Sequence, residues 1–221
     1  MWLFFLTPIM LISFIFYYAS IGGFGDMPDL EVLENPKTNL ASEVISSDGK
    51  TLGKYYFNDN RTPVTFEELP SHLVDALIAT EDIRFYSHSG IDFKRTVAAA
   101  IKLGKDGGGS TITQQLAKLL FTGEGSRDII ERLTQKFKEY IIAVRLERHY
   151  TKNEIITQYL NLYDFGNNGD GIRSAARIYF GKEPIDLDIN ESAILVGMLK
   201  NSSLYNPCLL YTSPSPRDCL L

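Results

Sequence analysis

Apolar positions along the chain recur mostly at helical spacing. The first pattern is different, because residues 2–21, "WLFFLTPIMLISFIFYYASI", carry no charge at all. Residues 22–40 then read as a polar, proline-containing linker. Between Glu43 and Phe57, β-rich runs flank Ser47-Asp48-Gly49, which is a hairpin signal. From Pro70 the period changes, and Leu73, Leu77 and Ile78 predict a helix up to Glu81. Asp92 is placed to cap a helix over "FKRTVAAAIKL", with Gly104 as its stop. "GKDGGGS" (104–110) reads as a flexible glycine-rich loop. Thr111 and Gln114 have capping-box spacing at the head of the next helix. A long helix follows from about Arg127 to His149. Thr151 and Glu154 form a second candidate box, ahead of "KNEIITQYLNLY". "IRSAARIYFG" and "ESAILVGMLKN" read as two further helices, the latter opened by Asp188 and Glu191. The fold class expected is mainly α with one short β element and no internal repeat.

The uncharged segment 1–21 is long enough to span a hydrocarbon core of roughly 30 Å. Trp2, Tyr17 and Tyr18 lie near its ends, as interfacial aromatics do. Pro8 would kink such a helix without preventing a span. A cleaved signal peptide is the rival, but neither a charged leading region nor a small-residue cleavage site is clear. The reading favoured is an uncleaved single-pass anchor. Asp26, Asp29, Glu31 and Glu34 precede the first lysine, Lys37, and an acidic flank of this kind fits an exported domain.

Composition adds limits. Hydrophobic content of 44 % with 22 % charged residues is that of a globular chain. A length of 221 residues suits one sizeable domain plus a small element. A net charge of −5 argues against a nucleic-acid partner. The charge is uneven, however: from Glu81 to Lys152 there are 13 Lys and Arg against 9 Asp and Glu. That basic middle suits an anionic ligand, and equally a solvated mixed surface. Met1 to Pro207 contains no cysteine, so no disulfide framework or cysteine metal site is expected there. "CLLYTSPSPRDCLL" (208–221) has neither helical nor strand period and reads as a non-native tail.

Two carboxylates stand out. Glu139 lies in "LTQKFKEYIIAVRLER", where Leu133, Phe137, Tyr140, Ile141 and Val144 share one face and Ile142 and Leu146 lie on the other. Apolar residues on both sides predict a helix buried nearly all round. A carboxylate there needs a partner or a wet cleft, and an ion pair with Lys136, Arg145 or Arg148 would serve. Glu81 falls at a helix C-terminus, where the dipole gives a carboxylate no help. His88 reads as a structural hydrogen-bonder, and three histidines without a cluster make a transition-metal site an unfavoured reading. "GGGSTITQQ" could present amides to an anion at a helix N-terminus, but it lacks the Walker spacing of a nucleotide-binding loop.

Taken together, the segments resemble the peptidoglycan glycosyltransferases (glycosyltransferase family 51), found in bifunctional penicillin-binding proteins and monofunctional transglycosylases. Five motifs occur in the family's order: "EDIRFYSHSGID" (81–92), "GGSTITQQLAK" (108–118), "QKFKE" (135–139), "KNEIITQYLNLYDFG" (152–166) and "ESAILVGMLKNSSLYNP" (191–207). The resemblance implies a lysozyme-like large lobe, a small membrane-proximal lobe and a cleft between them. Residues 41–207 would form the glycosyltransferase domain behind the anchor, and "IKLGKDGGGS" its mobile part. An apolar face would enter the bilayer.

The resemblance also implies a reaction. Lipid II is polymerised when the acceptor GlcNAc 4-hydroxyl attacks C1 of the donor MurNAc and undecaprenyl pyrophosphate leaves. By motif match Glu81 is the base. Glu139 serves the pyrophosphate end, with a divalent cation (Mg or Mn) bound together with the substrate. Ser110, Thr111, Gln114, Gln115 and Lys118 bind substrate. Lys136, Arg145 and Arg148 are candidates for phosphate, Lys136 alone of the three lying inside a matched motif. The third motif departs from the family pattern in having Gln135 where Arg is usual, and Arg132 or Lys138 could compensate. The implied partners are lipid II, the growing glycan strand, the bilayer and cell-wall synthesis proteins, with the catalytic domain on the periplasmic side of the inner membrane. The chain is expected to be a fragment of a longer protein, without transpeptidase activity of its own. A lysozyme-like hydrolase or lytic enzyme and a non-catalytic scaffolding module are the rival readings.

Overall fold

The structure of the chain, a computed structural model, describes residues 6–7, 10, 13–14, 17–18, 21–23, 42–49, 51–55, 61–101, 109–123, 125, 128–202 and 204–209. Most of the expected anchor lies outside them. Among the described residues no helix is long and apolar enough to cross a membrane. The linker over 24–40, the part of the glycine-rich loop over 102–108 and the tail over 210–221 also lie outside.

The chain is mainly helical. Strands β1 (Ser42–Ile45) and β2 (Thr51–Tyr55) precede helix α1 (Ser71–Glu81). Then come α2 (Phe93–Ile101), α3 (Ile112–Ala117), a π-helical turn over Lys118–Thr122, and α4 (Ile129–His149). Helices α5 (Lys152–Leu162), α6 (Gly171–Phe180) and α7 (Ile189–Lys200) complete the order. The strands pair antiparallel, with Ser42 opposite Tyr55 and a register shift between Val44 and Ile45.

Local chemistry accounts for most of the helix ends. Asp92 receives the Arg95 amide on its carboxylate ahead of α2. Thr111 and Gln114 form a reciprocal capping box on α3, and Asp188 and Glu191 form one on α7. Asp128 caps α4 through the Ile130 amide.

Two compact units result, one of Met1–Lys37 with Tyr86–Thr151, the other of Thr38–Phe85 with Lys152–Leu221. In the first, α3 packs on α4. Ile112 and Leu116 are fully buried, as are Ala143 and Leu146. In the second, α1 packs on α7, and α5 on α6. Leu73 and Leu77 of α1 are fully buried, each contributing about 1.5–3 kcal/mol of burial. Residues 61–68 are clipped to this unit by polar contacts. The Asn161 side chain exchanges two 3.0 Å bonds with the Val64 backbone. Arg173 donates to the Pro63 carbonyl and pairs with Glu68 and Glu183.

One expectation is corrected. Helix α4 is not buried nearly all round: Leu133 is 56 % exposed, and Ile129 and Ile130 more so. Its buried stripe is Glu139, Ile142, Ala143 and Leu146. The neighbours decide this, because α3 covers one face only and the small Ala143 lets the chain at Gly90 approach the helix backbone.

Candidate active site

Glu139 therefore lies inside the buried stripe. Its side chain is only 5 % exposed, and its Oε2 accepts from Lys136 Nζ at 2.5 Å, one turn earlier on α4. The same ammonium donates to Ser110 Oγ at 3.0 Å. Glu139 Oε1 meets the hydroxyl of Thr122 at 3.4 Å. Of the partners the sequence offered Glu139, the structure selects Lys136. The charge of Glu139 also acts on Tyr140, whose phenol is pushed up by burial first and by this carboxylate second.

Thr111 and Gln114, expected to bind substrate, make contacts within the fold. Both are buried. Thr111 Oγ1 donates to the Gly90 carbonyl at 2.7 Å, and Gln114 Nε2 to the same oxygen at 3.3 Å. Thr111 and Gln114 thus moor the head of α3 to the end of the first motif and hold Ser110, the preceding residue, beside Lys136. On this account Thr111→Ala should lower the free energy of unfolding by about 1–2 kcal/mol, read from urea titration. Gln115 is half-buried and Lys118 exposed. Arg148 is not brought to the carboxylate. Nine residues further along α4 it stands roughly 13 Å up the axis and half a turn away, exposed in the last turn.

Glu81 belongs to the other unit. It is the final residue of α1 and half-buried, and the chain turns there through a bond from the Phe85 amide to the Asp82 carbonyl. Phe85 is fully buried beneath Lys152 Nζ, 4.2 Å from its ring centre. Two phenols of α5 and its end feel the charge of Glu81. Tyr159 is pushed well up by burial, with Glu81 adding to it, and Tyr163 by burial, Asp164 and Glu81 in that order. Tyr163 gives its proton to the α7 carbonyls, at 3.0 Å from Leu199 O.

The buried Glu139 carboxylate is thus paired with a part-exposed ammonium that also reaches a serine hydroxyl. A family model described as Transglycosylase matches residues 48–218. The chain belongs to the transglycosylase family. It is identical at 37 % over 196 residues to penicillin-binding protein 1A of Pseudomonas aeruginosa, covering 86 % of this chain and 23 % of that protein. With penicillin-binding protein 1A of Escherichia coli the identity is 38 % over 186 residues, or 82 % of this chain and 21 % of the relative. With penicillin-binding protein 1F of Bacillus subtilis it is 40 % over 175 residues, or 77 % and 24 %. The transglycosylase chain thus spans less than a quarter of the length of these relatives.

Two features of this transglycosylase were not read from its sequence. Gly90 lies within the first motif, and its positive φ of 89° is signalled by the Ser-Gly turn pattern. The contact of Thr122 with Glu139 had no signal, because the π turn that carries Thr122 reads in sequence as a plain continuation of α3.

Proposed function

We propose that the chain polymerises lipid II into peptidoglycan glycan strands, with inversion at C1 of the donor MurNAc. The observation that carries this reading is the Lys136–Glu139 pair held against Ser110. A pyrophosphate leaving group is a weak base. It departs on cationic and hydrogen-bonding support, whereas the sugar leaving group of a glycosidase must be protonated by a carboxylic acid. Lys136 and Ser110 offer that support, and Glu139 fixes the ammonium. Glu81 takes the proton from the acceptor 4-hydroxyl, that oxygen bonds to C1, and the C1–O bond to the pyrophosphate breaks.

A resident metal does not fit these residues. The Oε2 of Glu139 already faces an ammonium, and among the described residues no group of three or more His, Cys, Asp or Glu could hold an ion. A divalent cation would have to be held chiefly by the substrate's own phosphate oxygens, and no step here is assigned to one.

The family resemblance and the uncharged segment 1–21 support a single-pass anchor in the inner membrane, a periplasmic catalytic domain, and contact with bilayer, glycan strand and cell-wall synthesis proteins. The test is incubation with labelled lipid II in detergent, followed by separation of products by length. Polymer sensitive to a muramidase is the expected result. No polymer from folded protein would overturn the reading, and release of fragments from preformed glycan would replace it with the hydrolase.

A further inference from the structure

From the geometry around Glu139 we infer that Thr122 is a positioning residue for that carboxylate, holding its second oxygen through a hydroxyl delivered by the π turn. The inference rests on the proposed role of Glu139 and deepens it. Lys136 occupies Oε2 and leaves Oε1 to Thr122, at 3.4 Å. Among the described residues these two side chains are the hydrogen-bonding partners of a carboxylate that is 5 % exposed. A buried carboxylate with one oxygen fixed can still swing about its last torsion, whereas contacts on both oxygens define its plane.

The backbone shows how Thr122 arrives there. Helix α3 ends at Ala117, and the next five residues form a π turn closed by the Gly123 amide on the Lys118 carbonyl at 2.9 Å. A bond spanning five residues admits one more residue per turn than an α-helix. Every side chain beyond Lys118 is therefore rotated back from its α-helical direction. This turn packs on α4, and Thr122 is the residue it sets against Glu139. Gly123, at φ 63°, then stops the helix. π turns inside helices are costly and recur at functional sites. Here the irregular turn has an identifiable product, a hydroxyl aimed at a buried carboxylate. At 3.4 Å the contact is long for a hydroxyl–carboxylate bond, so its role is to set direction rather than to supply strength.

Thr122→Val removes the hydroxyl and keeps the branched shape, while Thr122→Ser keeps the hydroxyl and drops the methyl. In the full chain, Thr122→Val should reduce kcat for lipid II about threefold with KM little changed, as loss of a weak hydrogen bond does. Thr122→Ser should restore most of it. Added to Glu139→Gln, Thr122→Val should cost nothing further, since both act through one group. Unaltered turnover in Thr122→Val alongside a loss in Glu139→Gln would overturn the inference and leave the role of Glu139 standing. So would a serine variant as poor as the valine, or additive losses in the double variant. Full activity in Glu139→Gln would remove the role of Glu139 and the inference with it.

Discussion

Replacing Glu81 by Gln should lower the turnover of lipid II by about 10²–10⁴-fold, the contribution of a positioned general base. Glutamine matches glutamate in shape and can still hydrogen-bond, but it cannot hold a proton taken from the acceptor hydroxyl. The fold should not suffer. Glu81 is half-buried at the very end of α1, where unsatisfied carbonyls make a negative charge mildly unfavourable. Neutralising it is expected to leave the melting temperature unchanged or slightly raised. The groups that feel its charge include two phenols kept protonated by their own burial, and Tyr163 directs its proton to the Leu199 carbonyl. Initial rates at saturating lipid II, together with thermal unfolding of both proteins, separate chemistry from stability. A Gln variant that polymerises at the parent rate would exclude Glu81 as the base and transfer the assignment to Glu139.

Much of this architecture was legible because helix ends are written in local chemistry. The boxes at Thr111–Gln114 and Asp188–Glu191 need only a spacing of three residues, and both are present. The end of α1 at Glu81 and of α4 at His149 followed from apolar periodicity, which survives folding unchanged. What the sequence does not carry is which of two apolar faces finds a neighbour. Helix α4 offers both, and only packing against α3 shows that Glu139 shares the buried one while Leu133 remains exposed. The partner of Glu139 had the same ambiguity. Lys136, Arg145 and Arg148 all carried suitable charge, and rotation about the helix axis, which brings Lys136 within 2.5 Å, leaves Arg148 half a turn away. Non-local polar contacts were beyond reach altogether. The pairing of Asn161 with the Val64 backbone joins residues 97 positions apart, and nothing in either segment names the other.

Gly90→Ala should cost about 2–5 kcal/mol of stability, because two independent costs fall on one added carbon. At φ 89° an L-residue is disfavoured by about 1–2 kcal/mol. The new Cβ would also lie 2.8 Å from the Ala143 carbonyl oxygen and 2.9 Å from its carbon, inside contact distance of α4 backbone that cannot rotate aside. Overpacking of this kind typically costs about 1–3 kcal/mol. Relief requires the loop to retreat from α4. Retreat withdraws the carbonyl that receives Thr111 and Gln114, and so unmoors the head of α3 and Ser110 beside Lys136. Activity should therefore fall beyond what unfolding explains. Gly181→Ala supplies the comparison. Gly181 also has positive φ, at 67°, but an added Cβ there meets nothing within 4 Å, so only the conformational cost remains. Denaturant unfolding of the two variants isolates the clash as their difference. Equal losses would mean that the approach of Gly90 to α4 is not required, and would remove the link drawn between this glycine and the placement of Ser110.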